Sequence, residues 1–447
     1  MIFKKLNKTE LVILLIKKTQ FFSWLSQILF GSKSKLYLSL LDINYYRRNI
    51  MGKTIKNFVG IQEFISFVFY EKGMIKESSN LVQNSEKIRE KILFGKTSKK
   101  LCTVIGDDFT SSIGHSAHSI YIRLQLSKLF PEVYPYDHVI TYEKPSNLHL
   151  LKKFSRYFPV QENNEKFKNL DWTINERVWA TWTPEGPMEI HRASDIYSRE
   201  FHSKFFDPVL QINDGETESA EKFLVPLGFK ENDWFVTLHL RTEASGPGYS
   251  RGKPYGRNVR IDSYLPSIKF IIEQGGWIVQ IGDKGEKIDH PRIIDYRVEN
   301  QDSLLNTYFL AKCRFMIATL SGPMHVPQMF NTPVVATNIP GILRTMYLHN
   351  SITIPRLIMN HKNKIISLEE SAHNKMGFRQ WTLNSGYEWI PNSSDEILEA
   401  VKEIYYKKQL ETSRKQIYFD SSVRNLGSDS SSVISNYFLE KHLDTII

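Results

Sequence analysis

The second half of the chain carries four apolar runs of strand length, at 234–241, 277–283, 314–319 and 333–337. They are rich in Val, Ile, Phe and Thr, and Gly, Asp, Ser, Asn or a long basic loop follows them. Short apolar runs bounded by turn residues read as strands buried on both faces. Helical spacing of apolar residues fills two of the gaps, 261–274 and 301–312. Strands alternating with helices predict a parallel sheet, with ligands gathered at the carboxyl ends of its strands. Arg241, Asp283, Ser321, Gly322 and Asn338 all fall at such ends.

The first half repeats the alternation more faintly. A strand at 101–105 leads through a loop at 106–114 to a helix at 115–129 and a second strand at 138–141. Helical patterns follow at 147–157 and 193–206, and 226–233 reads as a linker. The fold class expected is α/β, with two Rossmann-like domains facing across a cleft. The division predicted is a basic amphipathic helical arm (1–100), an N-terminal Rossmann-like acceptor domain (101–231), a C-terminal Rossmann-like nucleotide-sugar domain (232–394), and a terminal helix with a polar, Ser-rich tail (395–447). No internal repeat or long low-complexity tract interrupts this plan.

Charge sharpens the division. The 447 residues carry a net charge of +10. Residues 1–100 hold 19 Lys and Arg against 7 Asp and Glu, so the remainder is close to neutral. The longest uncharged run of the arm, 19–32, has 14 residues, short of the ~20 needed to span a bilayer. Lysines interrupt its apolar stretch, unlike a secretory signal. A lysine-flanked, aromatic-rich segment can instead lie on an anionic membrane surface, and residues 1–35 are the expected contact. Nucleic acid is not an expected partner, because the basic residues follow no recognition motif. The two cysteines, Cys102 and Cys313, fall within predicted strands and are too few for a disulfide framework. A cytoplasmic location, peripheral on the inner membrane face, is the expectation.

The candidate chemistry is anion binding. Arg241, Arg251, Lys253, Arg257 and Arg260 lie within twenty residues, and the planar guanidinium pairs bidentately with phosphate oxygens. Ser321-Gly322-Pro323 opens a helix-like segment at 325–330, offering a hydroxyl, an unhindered backbone and a helix N-terminus. His325 lies at the start of that segment, and His239 shares a strand face with Arg241. Near the first strand, Gly114-His115 sits where a loop enters a helix. His115 is the candidate general base for an acceptor hydroxyl, with His118 in reserve. Asp107-Asp108 lacks a third ligand, so no metal is expected. Asp302 reads as a helix cap.

The order of His239-Leu240-Arg241, Gly256-Arg257-Asn258-Val259-Arg260, Gly282-Asp283, Asp295-Tyr296 and Thr319-Leu320-Ser321-Gly322 resembles a family of bacterial glycosyltransferases associated with surface-polysaccharide assembly. Asn338 and Ile354-Pro355-Arg356 continue the likeness, and Ile113-Gly114-His115 resembles that family's N-terminal Gly-His loop. More remotely, the chain is similar to the GDP-fucose-dependent fucosyltransferases, although Arg241-Thr242 stands where they carry a doubled arginine. The resemblance implies a metal-independent GT-B glycosyltransferase. Arg241 would contact the donor diphosphate, His115 would serve as base, and Gly114 and His118 would lie on the acceptor side. His239, Arg251, Arg257, Asn258, Arg260, Gly282, Asp283, Thr319, Ser321, Gly322 and His325 would line the donor site. The partners implied are a nucleotide-sugar donor of unspecified base, acting as substrate rather than cofactor, and a glycan or lipid-linked acceptor. Two other readings stay open: a nucleotide-sugar epimerase or hydrolase, and a non-catalytic carbohydrate-binding assembly protein using Trp172, Trp179 and Trp182 as stacking platforms.

Overall fold

The structure is a computed structural model that describes residues 102–105, 110–132, 137–162, 180–184, 186–242, 249–250, 253–254, 256–282, 287–297, 302–341, 347–374, 386–407, 413–426 and 432–447. The basic arm, Asp107-Asp108, Trp172, Trp179, Arg251 and Asp283 lie outside the described residues. So does the side chain of Trp182.

The chain divides into two compact units. The first includes the described residues of 102–108, 130–141 and 161–190. Its strands β1 (Cys102–Ile105) and β2 (Asp137–Tyr142) pair in parallel, Cys102 opposite Asp137, and β3 (Val160–Glu162) adds a third strand beyond β2. A separate hairpin joins β4 (Ala180–Thr183) to β5 (Gly186–Glu189).

The second unit comprises Phe109–Leu129, Tyr142–Val160 and His191–Ile447. It therefore includes α1 (Ile113–Leu129), α2 (Leu148–Lys153), most of α3 (Ile190–Lys204) and α4 (Asp214–Leu224), all of which the sequence pattern groups with the first lobe. Its centre is a six-stranded sheet built from β6 (Phe235–His239), β9 (Trp277–Gln280), β10 (Ile293–Asp295), β11 (Met316–Thr319), β12 (Val334–Ile339) and β13 (Ile352–Pro355). Every pairing is parallel, in the order β10-β9-β6-β11-β12-β13. In chain order this reads 3-2-1-4-5-6, the doubly wound arrangement. A two-residue ribbon, β7 (Tyr249–Ser250) with β8 (Lys253–Pro254), interrupts the loop after β6, and β14 (Leu357–Asn360) pairs antiparallel with β15 (Tyr387–Ile390).

Every residue of β6, β9, β11, β12 and β13 is buried. Strands covered on both faces need no polar alternation, which is why the sequence shows them as continuous apolar runs. Helices α5 (Leu265–Glu273) and α6 (Ser303–Lys312) fill the two crossovers, Asp302 capping α6 through its bond from Leu304 N at 2.7 Å. Cys313 is the C-cap of α6 rather than a strand residue, since β11 begins three residues later.

The C-terminus departs furthest from expectation. Beyond α7 (Leu368–His373) and α8 (Ser394–Tyr405), the anticipated polar tail forms α9 (Arg414–Asn425) and α10 (Asn436–Ile446). Phe419, Val423, Phe438, Leu439 and Leu443 join the core beneath the sheet helices. The segment between them returns to β13, where Thr353 N donates to Val433 O at 2.8 Å. Apolar spacing of three and four is present there, but Ser-rich flanks conceal it. Among the described residues no helix is long and apolar enough to cross a membrane.

Candidate functional site

In a doubly wound sheet the connections diverge between the first and fourth strands, and a crevice opens at their carboxyl ends. Here those strands are β6 and β11, with Ala318 in register with His239. Two residues past β6, Arg241 N donates to the Thr319 hydroxyl at 2.8 Å, tying the two strand ends together. Arg241 O in turn accepts from Val259 N at 2.9 Å, which folds the 256–260 loop back over the strand end. Within that loop, Arg257 Nε donates to Leu320 O at 2.8 Å. Arg241, Arg257 and the 319–322 corner therefore meet at one end of the sheet.

A second arginine anchors the loop from below. Arg356 follows β13 directly and is buried; it donates from Nε to Asn338 Oδ1 at 3.2 Å and from Nη2 to Asn258 O at 2.7 Å. Burial pushes its pKa down to about 10, so it stays cationic at neutral pH. Asn338, at φ 53°, occupies the left-handed region, which asparagine tolerates better than most residues. Its side-chain amide donates to Tyr264 Oη at 3.0 Å, and its Oδ1 also accepts from Asn392 N at 2.9 Å. Sequence reasoning gives Arg356, Tyr264 and Asn392 no role of their own. An apolar run ending in arginine, as at 234–241, is the signal available for Arg356.

The 321–330 segment is not an α-helix. It forms two 3₁₀ turns, Gly322–His325 and Pro327–Phe330, each with proline in its first two positions. A proline at 327 would remove a hydrogen bond from a continuing α-helix and clash with the preceding turn. The expected helix N-terminus at Ser321 is thus a single short turn, and the Ser321 side chain makes no capping bond.

What approaches this corner is the start of α1. A Cβ placed on Gly114 would lie 2.3 Å from Gly322 Cα, and one on Gly322 would lie 2.7 Å from Gly114 N. Only a glycine–glycine pair permits backbones this close. The contact joins segments more than two hundred residues apart and sets His115, which is solvent-exposed, beside the 321–325 corner. His325 feels both neighbours. Burial pushes its pKa down to about 4, and the charges of His115 and Arg257 act in the same direction. His325 is therefore a neutral imidazole at pH 7.

Other candidates have different surroundings. His118 is buried, its ring 4.4 Å from that of His191 and 5.0 Å from that of His325, which removes it as a reserve base in contact with solvent. His239 is 4% exposed and lies beneath Gly282, where an added Cβ would meet its ring at 2.9 Å. Gly282 itself has φ +106°, and its role is this close approach. Arg260 points outward and pairs with Asp262 at 2.8 Å, away from the corner. Asn258 contributes its carbonyl to Arg356.

No protein-family model and no curated protein matches the chain. Among solved structures, it is similar to a family 9 glycosyl transferase from Veillonella parvula, with 13% identity, TM-score 0.43, and coverage of 69% of this chain and 98% of that one. It is also similar to the E. coli ADP-heptose lps heptosyltransferase II, with 16% identity, TM-score 0.39, and coverage of 57% and 90%. A third is S. aureus MnaA with UDP, at 11% identity, TM-score 0.29, and coverage of 78% and 95%. Likenesses at TM-scores below 0.5 say nothing about activity, which must be read from the residues of the site.

Proposed function

We propose that this protein is a glycosyltransferase that binds a nucleotide-diphospho-sugar at the carboxyl edge of the six-stranded sheet and transfers its sugar to a hydroxyl of a glycan or lipid-linked acceptor. The observation that carries the reading is the meeting of four distant segments, at 114–115, 241, 256–258 and 319–325, around the strand ends where the winding reverses. Two guanidinium-bearing residues, an uncapped Ser321 and a backbone free of Cβ atoms suit a pyrophosphate better than they suit a metal or a hydride carrier.

In the proposed reaction the acceptor oxygen attacks the anomeric carbon as the bond from that carbon to the β-phosphate oxygen breaks. Arg241 and Arg257 stabilise the charge gathering on the departing diphosphate. His115 takes the acceptor proton. His325, held neutral by burial, donates or accepts a hydrogen bond without adding a second full charge. Residues 1–35 bring the enzyme to an anionic membrane surface, where a lipid-linked acceptor resides. Removing them should weaken binding to anionic vesicles and spare transfer to a soluble acceptor; unchanged vesicle affinity would discard the membrane contact.

A thermal-shift panel of nucleoside diphosphates and their sugars tests the donor reading, because a ligand of the folded state raises the melting temperature by mass action. Transfer measured with the stabilising donor should fall by about 2–4 kcal/mol in Arg241→Ala, the usual effect of losing a preorganised charge-stabilising group. Wild-type turnover in that variant would remove Arg241 from the reaction.

A further inference from the structure

Beside His325 lies a cavity of about 30 Å³ whose lining includes α1, α3 and the second 3₁₀ turn. It holds no lysine, arginine, aspartate or glutamate. His118, His325 and Tyr347 contribute to its wall, and its remaining polar groups are Gln125, Ser194, Ser198, His202, Tyr121 and Gln328. The proposed transfer uses His325 but none of these six.

Their hydrogen bonds can be followed proton by proton. Tyr121 Oη lies 3.2 Å from Gln328 O and 3.1 Å from His202 Nε2. A carbonyl only accepts, so Tyr121 donates to it, and His202 must supply the proton of the other bond from Nε2. That tautomer leaves His202 Nδ1 as an acceptor, and it has no partner among the described residues. Burial pushes His202 down to about 3, so the ring is neutral and does not recover a proton there. On the other wall, Ser198 donates to Gln125 Oε1 at 2.8 Å and Ser194 lies 3.1 Å from Ser198. Gln125 Nε2 is left as a donor that makes no close hydrogen bond among the described residues, Tyr121 Oη being an acceptor it approaches. Gln125 is 1% exposed and His202 is 4% exposed.

One donor and one acceptor, both buried and neither closely bonded, complement a hydroxyl, which accepts from the first and donates to the second. Leaving two such groups unmatched is costly, so a native cavity of this kind is expected to be filled. Its volume admits about two water molecules, or one hydroxymethyl group, but not a sugar ring. The absence of charge in the lining excludes a carboxylate or phosphate.

Resting on the glycosyltransferase reading for its neighbouring site, we propose that this cavity recognises a neutral hydroxymethyl arm of the transferred or accepting sugar. A hexose carrying a primary alcohol is the substrate class, and 6-deoxy sugars and uronic acids are rejected.

Saturation-transfer NMR on the full chain tests this with three sets of free monosaccharides: D-glucose, D-galactose and D-mannose; their 6-deoxy counterparts; and their uronates. At least one hexose should give a signal about five- to tenfold above its two counterparts, the range expected for one or two hydrogen bonds. Gln125→Met, similar in length but without the donor, should erase that preference. Equal signals from all three sets, silence from every hexose, or a preference that survives Gln125→Met would overturn the proposal. If Gln125→Met does not fold, the comparison of sugar sets on the wild-type chain decides alone. Nucleoside diphosphate binding, read separately by thermal shift, keeps the two readings apart. Nucleotides without hexose preference sink the cavity proposal, and hexose preference without any nucleotide sinks the transferase reading.

Discussion

The carboxyl edge of the six-stranded sheet and the helical flank formed by α8, α9 and α10 belong to one compact unit but treat polar groups in contrasting ways. In the flank, carboxylates neutralise cations and helix ends. Glu396 accepts from Lys441 at 2.9 Å and His442 at 2.7 Å, and it also closes the capping box with Ser393. Glu403 accepts from Ser435 Oγ, Asn436 N and Tyr437 N at the start of α10. At the sheet edge, Arg356 and Arg257 bond instead to amide and carbonyl oxygens. Arg356, held by neutral acceptors, has no carboxylate partner among the described residues, whereas a cation locked to a carboxylate has its charge already matched. Charges in the flank close helix ends, whereas the edge suits the anion site proposed for it.

Acid should separate the two regions most strongly. His325 and His202 have pKa values depressed to about 4 and about 3, so the folded state binds fewer protons than the unfolded chain once pH falls below about 6.5. Their contribution is complete above that pH and declines between 6.5 and the folded values, by up to about 1.4 kcal/mol per pH unit for each histidine. Glu396, lowered to about 2 despite an opposing burial effect by hydrogen bonds from His442 and Lys441, gives stability that is lost only as pH drops from about 4.5 toward 2. Amide exchange across a pH series should therefore show α1 and 322–330 opening first, with α8 and α10 protected to lower pH. Simultaneous loss would erase the distinction.

A smaller effect is expected at the glycine contact. Gly114→Ala should cost about 1–3 kcal/mol of stability through overpacking against backbone that cannot yield. A displacement near 1 Å at the corner would reduce transfer by roughly a hundredfold. Gly275→Ala, whose Cβ meets nothing within 4 Å but whose φ is +84°, is the control. It should lose about 1 kcal/mol and leave transfer intact. Equal losses of transfer in both would show that the 114–322 approach does not position the site.

The smallest change is Thr319→Val, which keeps the shape of a fully buried residue and deletes the bond from Arg241 N. About 1–3 kcal/mol of stability should go with the stranded amide, at the lower end if water reaches it. Denaturant midpoints measure this, and donor affinity should follow the same direction if that bond fixes Arg241.

Local pattern revealed the sheet strands well because burial on both faces writes itself into consecutive residues. The runs at 234–241, 277–283, 314–319 and 333–337 contain β6, β9, β11 and much of β12, and their ends mark where Arg241, Thr319 and Asn338 stand. β10 escaped because a strand of three residues barely exceeds background, and β13 because Pro355 closes its four residues and argues against a central strand. Histidines misled for a related reason: residue type announces chemical capacity, but exposure decides whether it is used. His115 is exposed, while His118 and His239 are packed away.

Sequence alone determined that this chain forms a central parallel sheet with arginine and hydroxyl groups at its strand ends, since a period of apolar residues and the turn that ends it are local properties. Tertiary structure alone decided that Gly114 meets Gly322, that Arg356 braces the 256–260 loop, and that the Ser-rich terminus closes the core. Those contacts depend on how backbones lacking Cβ atoms, or cations lacking acids, fit together across large separations, and no short stretch of sequence records that fit.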